Sequence, residues 1–278
     1  MSTPSNQPVI HIRPQRPVGI LSLTEIWKFR VLLAQMINRN IRSRILNSPI
    51  SIVWGFIRPA IMAFALVFIR NMSAANLGAQ IPYPLFIFSG LCFWFLWAEM
   101  VIQSAGSLRL DSGISKKVYF PLILSPIAVI ASRWVDIFII SAAVIAFQLY
   151  LGVPLSWDIL AMVPVTAVMF LLAFGVGVLF SALYLIHQDN SKFLETAVYL
   201  GLFLSPVLFS KEILPEVIQT YYNLNPMVGV LTGLRGALFA PEHVDWTSLG
   251  VSAIIAVGFT VVGLLLLDRM AKGYAERV

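Results

Sequence analysis

Charge is scarce in this chain. Asp, Glu, Lys and Arg together make 12% of its 278 residues, about half the share usual in a soluble domain. The single cysteine, Cys92, excludes an intrachain disulfide. The three histidines, His11, His187 and His243, are scattered, with no HExxH and no Cys/His metal spacing. His187 and Asp189 read as polar residues of a loop, not as an acid/base pair. There is no GxxxxGK[ST], so ATP is not bound through a P-loop. No GxSxG occurs, and Gly175-Val-Gly177 sits mid-run with no strand before it, as helix packing does. A membrane-embedded acyl or glycosyl transferase would need acids or histidines clustered at a membrane face. That cluster is missing, so the sequence offers no basis for catalysis by this chain alone.

Apolar residues are what the chain has, at 59%. They fall in six long runs, 50–69, 84–106, 122–150, 159–186, 194–210 and 247–267. About 20 mostly apolar residues cross a bilayer core of about 30 Å. Lipid offers the backbone no hydrogen-bond partners, so each run must be helical. The expectation is an all-α membrane protein of six transmembrane helices, with 194–210 the shortest.

Basic residues orient such a bundle. Fourteen of the 19 Lys and Arg fall before the first run, in the loops 107–121 and 187–193, and in the C-terminal tail. Only Arg70, Lys211 and Arg235 fall on the opposite side. Both termini are therefore expected in the cytoplasm. The net charge of +6 lies where anionic lipid and a cytoplasmic partner would meet it, and no nucleic-acid motif accompanies it. The first twenty residues hold four prolines and no apolar core, which suggests a flexible tail and not a signal peptide.

Three stretches lie outside the runs. Residues 22–46 place Leu23, Trp27, Val31, Ala34, Ile37, Ile41 and Ile45 on one face, as an interfacial amphipathic helix does. The loop 107–121 is basic yet carries Leu108, Leu110, Ile114, Val118, Tyr119 and Phe120, so something should cover it. The segment 205–246 is interrupted by Pro206, Pro215, Pro226 and Pro241, but 226–239 is apolar over about one short helix. Two short re-entrant helices between spans five and six, dipping from the periplasmic face, fit it. Asn225 would cap the second, Pro226 would occupy its first turn and Arg235 would lie near its returning end. Four charges lie within spans, Arg58, Glu99, Arg133 and Asp136. Arg133 and Asp136, three apart on one helix face, are expected to pair, and Arg58 with Glu99 is a possible interhelical pair. Two acids are too few for a proton relay.

Together these residues resemble a family. The order Arg42-Ser43-Arg44-Ile45-Leu46, Trp54, Arg58-Pro59 and Val67-Phe68 is similar to the opening of permease subunits of type-2 ABC exporters of polysaccharides. So are Ser89-Gly90-Leu91-Cys92-Phe93-Trp94, the loop Lys116-Lys117-Val118-Tyr119-Phe120-Pro121, and Asn225-Pro226 followed by Arg235. The likeness runs through the chain after residue 22. Arg58, where the family often has an uncharged polar residue, departs from it, and the tail 272–277 matches only loosely.

The resemblance implies a cytoplasmic tail at 1–21, an interfacial helix at 22–48 and a six-helix permease domain at 49–278. It implies a homodimer in the bacterial inner membrane, with two separate nucleotide-binding subunits that bind ATP and Mg, and no cofactor in this chain. Arg109, Asp111, Lys116, Lys117, Tyr119 and Phe120 would couple to the ATPase. The cargo would be a lipid-linked polysaccharide, O-antigen first, with capsule, teichoic acid, or a small molecule or lipo-oligosaccharide as alternatives. Sugar rings stack their C–H faces on aromatic rings, so Trp54, Phe64, Phe68, Tyr199, Phe203 and Phe209 are the pathway candidates beside spans one and five.

Overall fold

A computed structural model describes residues 23–45, 49–73, 81–111, 120–184, 190–239 and 243–275. The described residues are helical apart from turns, short 3-10 segments and one isolated bridge, Leu155 with Phe239. In chain order the helices are α1 (Leu23–Lys28), α2 (Arg30–Ile45), α3 (Pro49–Ser73), α4 (Tyr83–Leu110), α5 (Leu124–Ser132), α6 (Trp134–Tyr150), α7 (Met162–Tyr184), α8 (Asn190–Phe203), α9 (Glu216–Tyr222), α10 (Pro226–Leu238) and α11 (Trp246–Ala275).

Among the described residues five helical stretches are long and apolar enough to cross a membrane. They are Val53–Asn71, Tyr83–Leu110, Leu124–Tyr150, Trp157–Tyr184 and Trp246–Met270. The run expected as the fifth span yields only α8, of 14 residues, about 21 Å at 1.5 Å per residue. It ends because Pro206 follows. A proline lacks the N–H a continuing helix needs and pushes the residue before it out of helical conformation. Leu204 and Ser205 close the end with tight bonds to the carbonyls of Gly201 and Leu202. The third run breaks as well, at Arg133, which ends α5 and precedes α6.

Helix α4 is the centre of the bundle. Its apolar side chains are almost all buried, among them Leu85, Ile87, Leu91, Phe93 and Met100. Around it stand α3, α5, α6, α7, α8 and α10. Helix α11 packs along α7 at small residues. A side chain on Gly175 would meet the backbone of Thr260 at 2.7 Å, and one on Gly263 would meet the Gly175 carbonyl at 3.0 Å. Small residues allow the close backbone approach that drives helix association in lipid. Tyr150, Trp157 and Trp246, at the neighbouring ends of α6, the following 3-10 turn and α11, are exposed. Amphipathic rings gather in this way at a membrane–water interface.

The N-terminal helices lie against the bundle, and only part of the stripe picked out by the periodicity faces it. Trp27 and Val31 point outward, 70% and 65% exposed. Ile26, Phe29, Leu32, Leu33, Met36 and Ile37 pack instead on Phe120, Leu124 and Ala128. The backbone breaks between α1 and α2 at Phe29, so one straight stripe does not describe both. The expected tail at 1–21 lies outside the described residues.

Candidate functional site

A cavity of about 970 Å³ opens among α2, α3, α4, α6 and α8. Trp54, Tyr199 and Phe203 of the expected pathway aromatics line it, with Phe56 and Phe95, which the sequence reading did not single out. Phe64 and Phe68 lie elsewhere on α3, 74% and 58% exposed. Phe209 stacks on Tyr222 at 6.1 Å, also away from the cavity. The lining is chiefly apolar, with Ile61, Met62, Ala65, Leu96, Ile139 and Leu202 among its walls.

All four charges expected within spans line this cavity, joined by Arg44 from the end of α2. Arg133 pairs with Asp136 at 2.8 Å, as their spacing on one face suggests. It also pairs with Glu99 of α4 at 3.0 Å. The possible Arg58–Glu99 pair does not form, since Glu99 is taken by Arg133. Arg44, outside the apolar runs, binds Asp136 and donates to the Ser132 carbonyl at 2.8 Å. Two carboxylates between two guanidinium groups tie α2, α4 and α6 at the break beside Arg133. Charges at membrane depth are held in this way, by pairing inside the bundle.

Arg58 is held differently. It donates to the Tyr199 hydroxyl at 2.9 Å. Its guanidinium lies 4.9 Å from the Phe95 ring centre and 5.8 Å from that of Tyr199. Cation–π attraction and one hydrogen bond thus bridge α3 to α8 across the cavity.

Five residues before Arg44 on α2, Arg39 pairs with Asp111 at 2.8 Å. Asp111 caps α4, and its side chain is only 7% exposed. Arg109, two residues earlier, is exposed. Lys116, Lys117 and Tyr119 lie outside the described residues, while Phe120 is buried against Met36. The cover that the loop's apolar residues require is, for Phe120, helix α2 of the same chain.

The segment after α8 forms short helices, as expected. Asn225 accepts from the Met227 N–H at 3.0 Å and so caps α10, with Pro226 at its first position. Its amide also donates to Leu204 O and Ser205 Oγ, both at 2.9 Å. Helix α10 is buried from Met227 to Leu238 except at Thr232. Arg235 is buried too, yet its guanidinium reaches beyond its own helix end. It donates to the carbonyls of Pro206 at 2.5 Å and Phe86 at 3.0 Å and lies over the Phe86 ring.

Residues 31–239 match the ABC-2 type transporter family. The chain belongs to that family. The resemblance read from its motifs is thereby upheld, and polysaccharide export permeases are among the proteins the chain is similar to. It is 25% identical over 247 residues to the O-antigen export system permease protein RfbA of Klebsiella pneumoniae, covering 88% of this chain and 94% of that protein. It is 20% identical over 257 residues to RfbA of Myxococcus xanthus, covering 91% and 98%. It is 24% identical over 242 residues to the polysialic acid transport protein KpsM of Escherichia coli, covering 85% and 92%. In this transporter chain the cavity is the concave site with convergent polar groups, which is where a ligand is first sought.

Proposed function

We propose that the chain is the membrane-spanning subunit of an ATP-driven exporter that moves a lipid-linked polysaccharide, O-antigen of lipopolysaccharide first, across the bacterial inner membrane. The observation that carries this is the aromatic cavity in a chain of ABC-2 type. Trp54, Phe95, Tyr199 and Phe203 offer stacking faces on one void of about 970 Å³. A sliding polymer suits such faces, because stacking tolerates any register along a sugar chain. The capsule polysaccharide export inner-membrane protein CtrC of Neisseria meningitidis, 20% identical over 261 residues, favours capsule as the second reading.

In this reading two copies assemble with two ATPase subunits, and the pathway runs between the copies beside α3 and α8. Helix α8 and its flanking turns make a sixth crossing, which places both termini in the cytoplasm. The loop 107–121 and helix α2 receive the motion of the ATPase, and α10, re-entrant from the periplasmic side, seals the far end. The buried Met227–Leu238 stretch supports a seal more than a wall open to water.

Deleting the gene and following surface polymer by gel and immunoblot tests the reading. Lipid-linked polymer should accumulate inside, and the wild-type gene should restore its export. Normal surface polymer in the deletion strain would overturn the proposal.

A further inference from the structure

We propose that Arg58 and Tyr199 form a phosphate-binding subsite in the cavity, which takes the phosphate ester of the transported molecule. The subsite deepens the transport reading above and rests on it for its biological meaning only. The charge arrangement carries it. Three guanidinium groups and two carboxylates line the cavity. Asp136 is shared by Arg44 and Arg133, and Glu99 is held by Arg133. Among the described residues no carboxylate lies within ion-pair distance of Arg58. It is the one cavity cation whose charge an internal acid does not answer.

A cation in a membrane span is costly without a partner and marks a functional position. The protein retains this one by aromatic contact and by the 2.9 Å bond to the Tyr199 hydroxyl. That bond uses one of the five N–H donors of the guanidinium. Tyr199, having accepted it, still has its own proton to donate. An acceptor-rich anion is the complement of such a pair, and a planar guanidinium matches phosphate with two parallel bonds.

Depth and wall chemistry agree. Arg58 lies five residues into the span that begins at Val53, about 8 Å along the helix, near the end to which α2 is joined. Trp54 lines the same cavity one turn before it. Beyond Arg58 the walls turn apolar, with Ile61, Met62 and Leu202. A charged end near the interface with apolar walls behind it is the shape of a lipid phosphate and its tail.

The test uses the full chain in nanodiscs and isothermal titration with three probes: a short isoprenyl phosphate, the matching isoprenol, and inorganic phosphate. The wild type should bind isoprenyl phosphate about tenfold or more tightly than isoprenol, the worth of one charge-assisted bond. Arg58→Gln should abolish that preference and leave isoprenol affinity unchanged, which also shows that the cavity persists. If inorganic phosphate binds as tightly as isoprenyl phosphate and is lost with Arg58, the subsite stands but reads phosphate from any source, a phosphorylated polymer included. Should Arg58→Gln lose isoprenol as well, Tyr199→Phe decides, since it keeps the ring and removes the hydroxyl. A several-fold loss of phosphate preference there supports the subsite, and an unchanged preference overturns it. No preference for phosphate in the wild type, or one that survives Arg58→Gln, also overturns it. Normal export in the gene-deletion strain would remove the transport reading and leave these titrations untouched.

Discussion

Arg235 shows how a single side chain can hold a short helix in place. It is 2% exposed and donates to carbonyls of two other segments, at Pro206 and Phe86. The Pro206 carbonyl lies past the end of α8, whereas the Phe86 carbonyl, inside α4, also accepts from Ser89 Oγ at 3.1 Å. Arg235→Leu should leave the Pro206 carbonyl without its charged donor, which costs about 1–3 kcal/mol for a buried group. A fall of several degrees in the thermal midpoint of the detergent-solubilised protein is the expected outcome, and an unchanged midpoint would show that other groups fill in. Asp245 does similar work outside the membrane span. Burial alone would raise its pKa, but hydrogen bonds from Lys211, Thr247 and Ser248 outweigh it and hold the carboxyl well below its ordinary range. A depressed folded pKa means stability that is fully present above the unfolded value of about 3.9 and lost as pH falls toward the folded one. Asp245→Asn should therefore lower the midpoint by an amount that stays constant between about pH 5 and 8, and the gap should close only in stronger acid. A gap that changes near neutrality would point to another group. At this scale the sequence was partly legible. Spacing alone exposed the Arg133–Asp136 pair and the Asn225 cap. Glu99 as the second partner of Arg133 is a contact between helices 34 residues apart, and no local pattern encodes it.

At the scale of elements, α2 is the informative case. Its heptad-like stripe was visible, but the face that packs was not, because both sides of the helix carry large apolar residues. Its polar residues, Arg30, Gln35, Arg39, Asn40 and Arg44 among them, are spread around the helix, so no single polar side shows which way it turns. The bundle settles the matter through Phe120, Leu124 and Ala128, and two ion pairs, Arg39–Asp111 and Arg44–Asp136, pin the helix at separate points. If α2 carries ATPase motion into the bundle, these pins should transmit it. Asp111→Asn should reduce export several-fold in an ATPase-containing complex while ATP hydrolysis persists. Exchanging the two groups, Arg39→Asp with Asp111→Arg, should restore part of the loss. Full export by Asp111→Asn would show that packing alone couples the helix. Helix α8 was misjudged in length for a plain reason: hydropathy continues through Pro206 to residue 210, but the backbone cannot continue as a helix.

At the scale of the whole molecule, helix length and charge distribution pull the number of membrane crossings in opposite directions. Five described helices are long and apolar enough, and α8 falls short at 14 residues. An odd number of crossings puts the termini on opposite sides, and an even number puts them together. With five, the basic tail residues Arg269, Lys272 and Arg277 would face the side opposite the seven Lys and Arg that precede the first span. That arrangement runs against the bias that keeps such residues cytoplasmic. With six, Lys192, in the first turn of α8, falls on the cytoplasmic side, Lys211 falls across the membrane after the helix, and the tail returns to join the N-terminus. A short crossing is accommodated by local thinning of the bilayer or by burial among neighbours, at fractions of a kcal/mol per Å of mismatch. Helix α8 has such neighbours in α4 and α7. The charge distribution therefore outweighs the length deficit, and six crossings are expected. A fluorescent protein fused after Val278 should be bright and alkaline phosphatase at the same point inactive, with both reporters reversed when fused after Lys211. Active phosphatase at the C-terminus would mean five crossings, and α8 would then be an interfacial helix and the cavity beside it a surface groove.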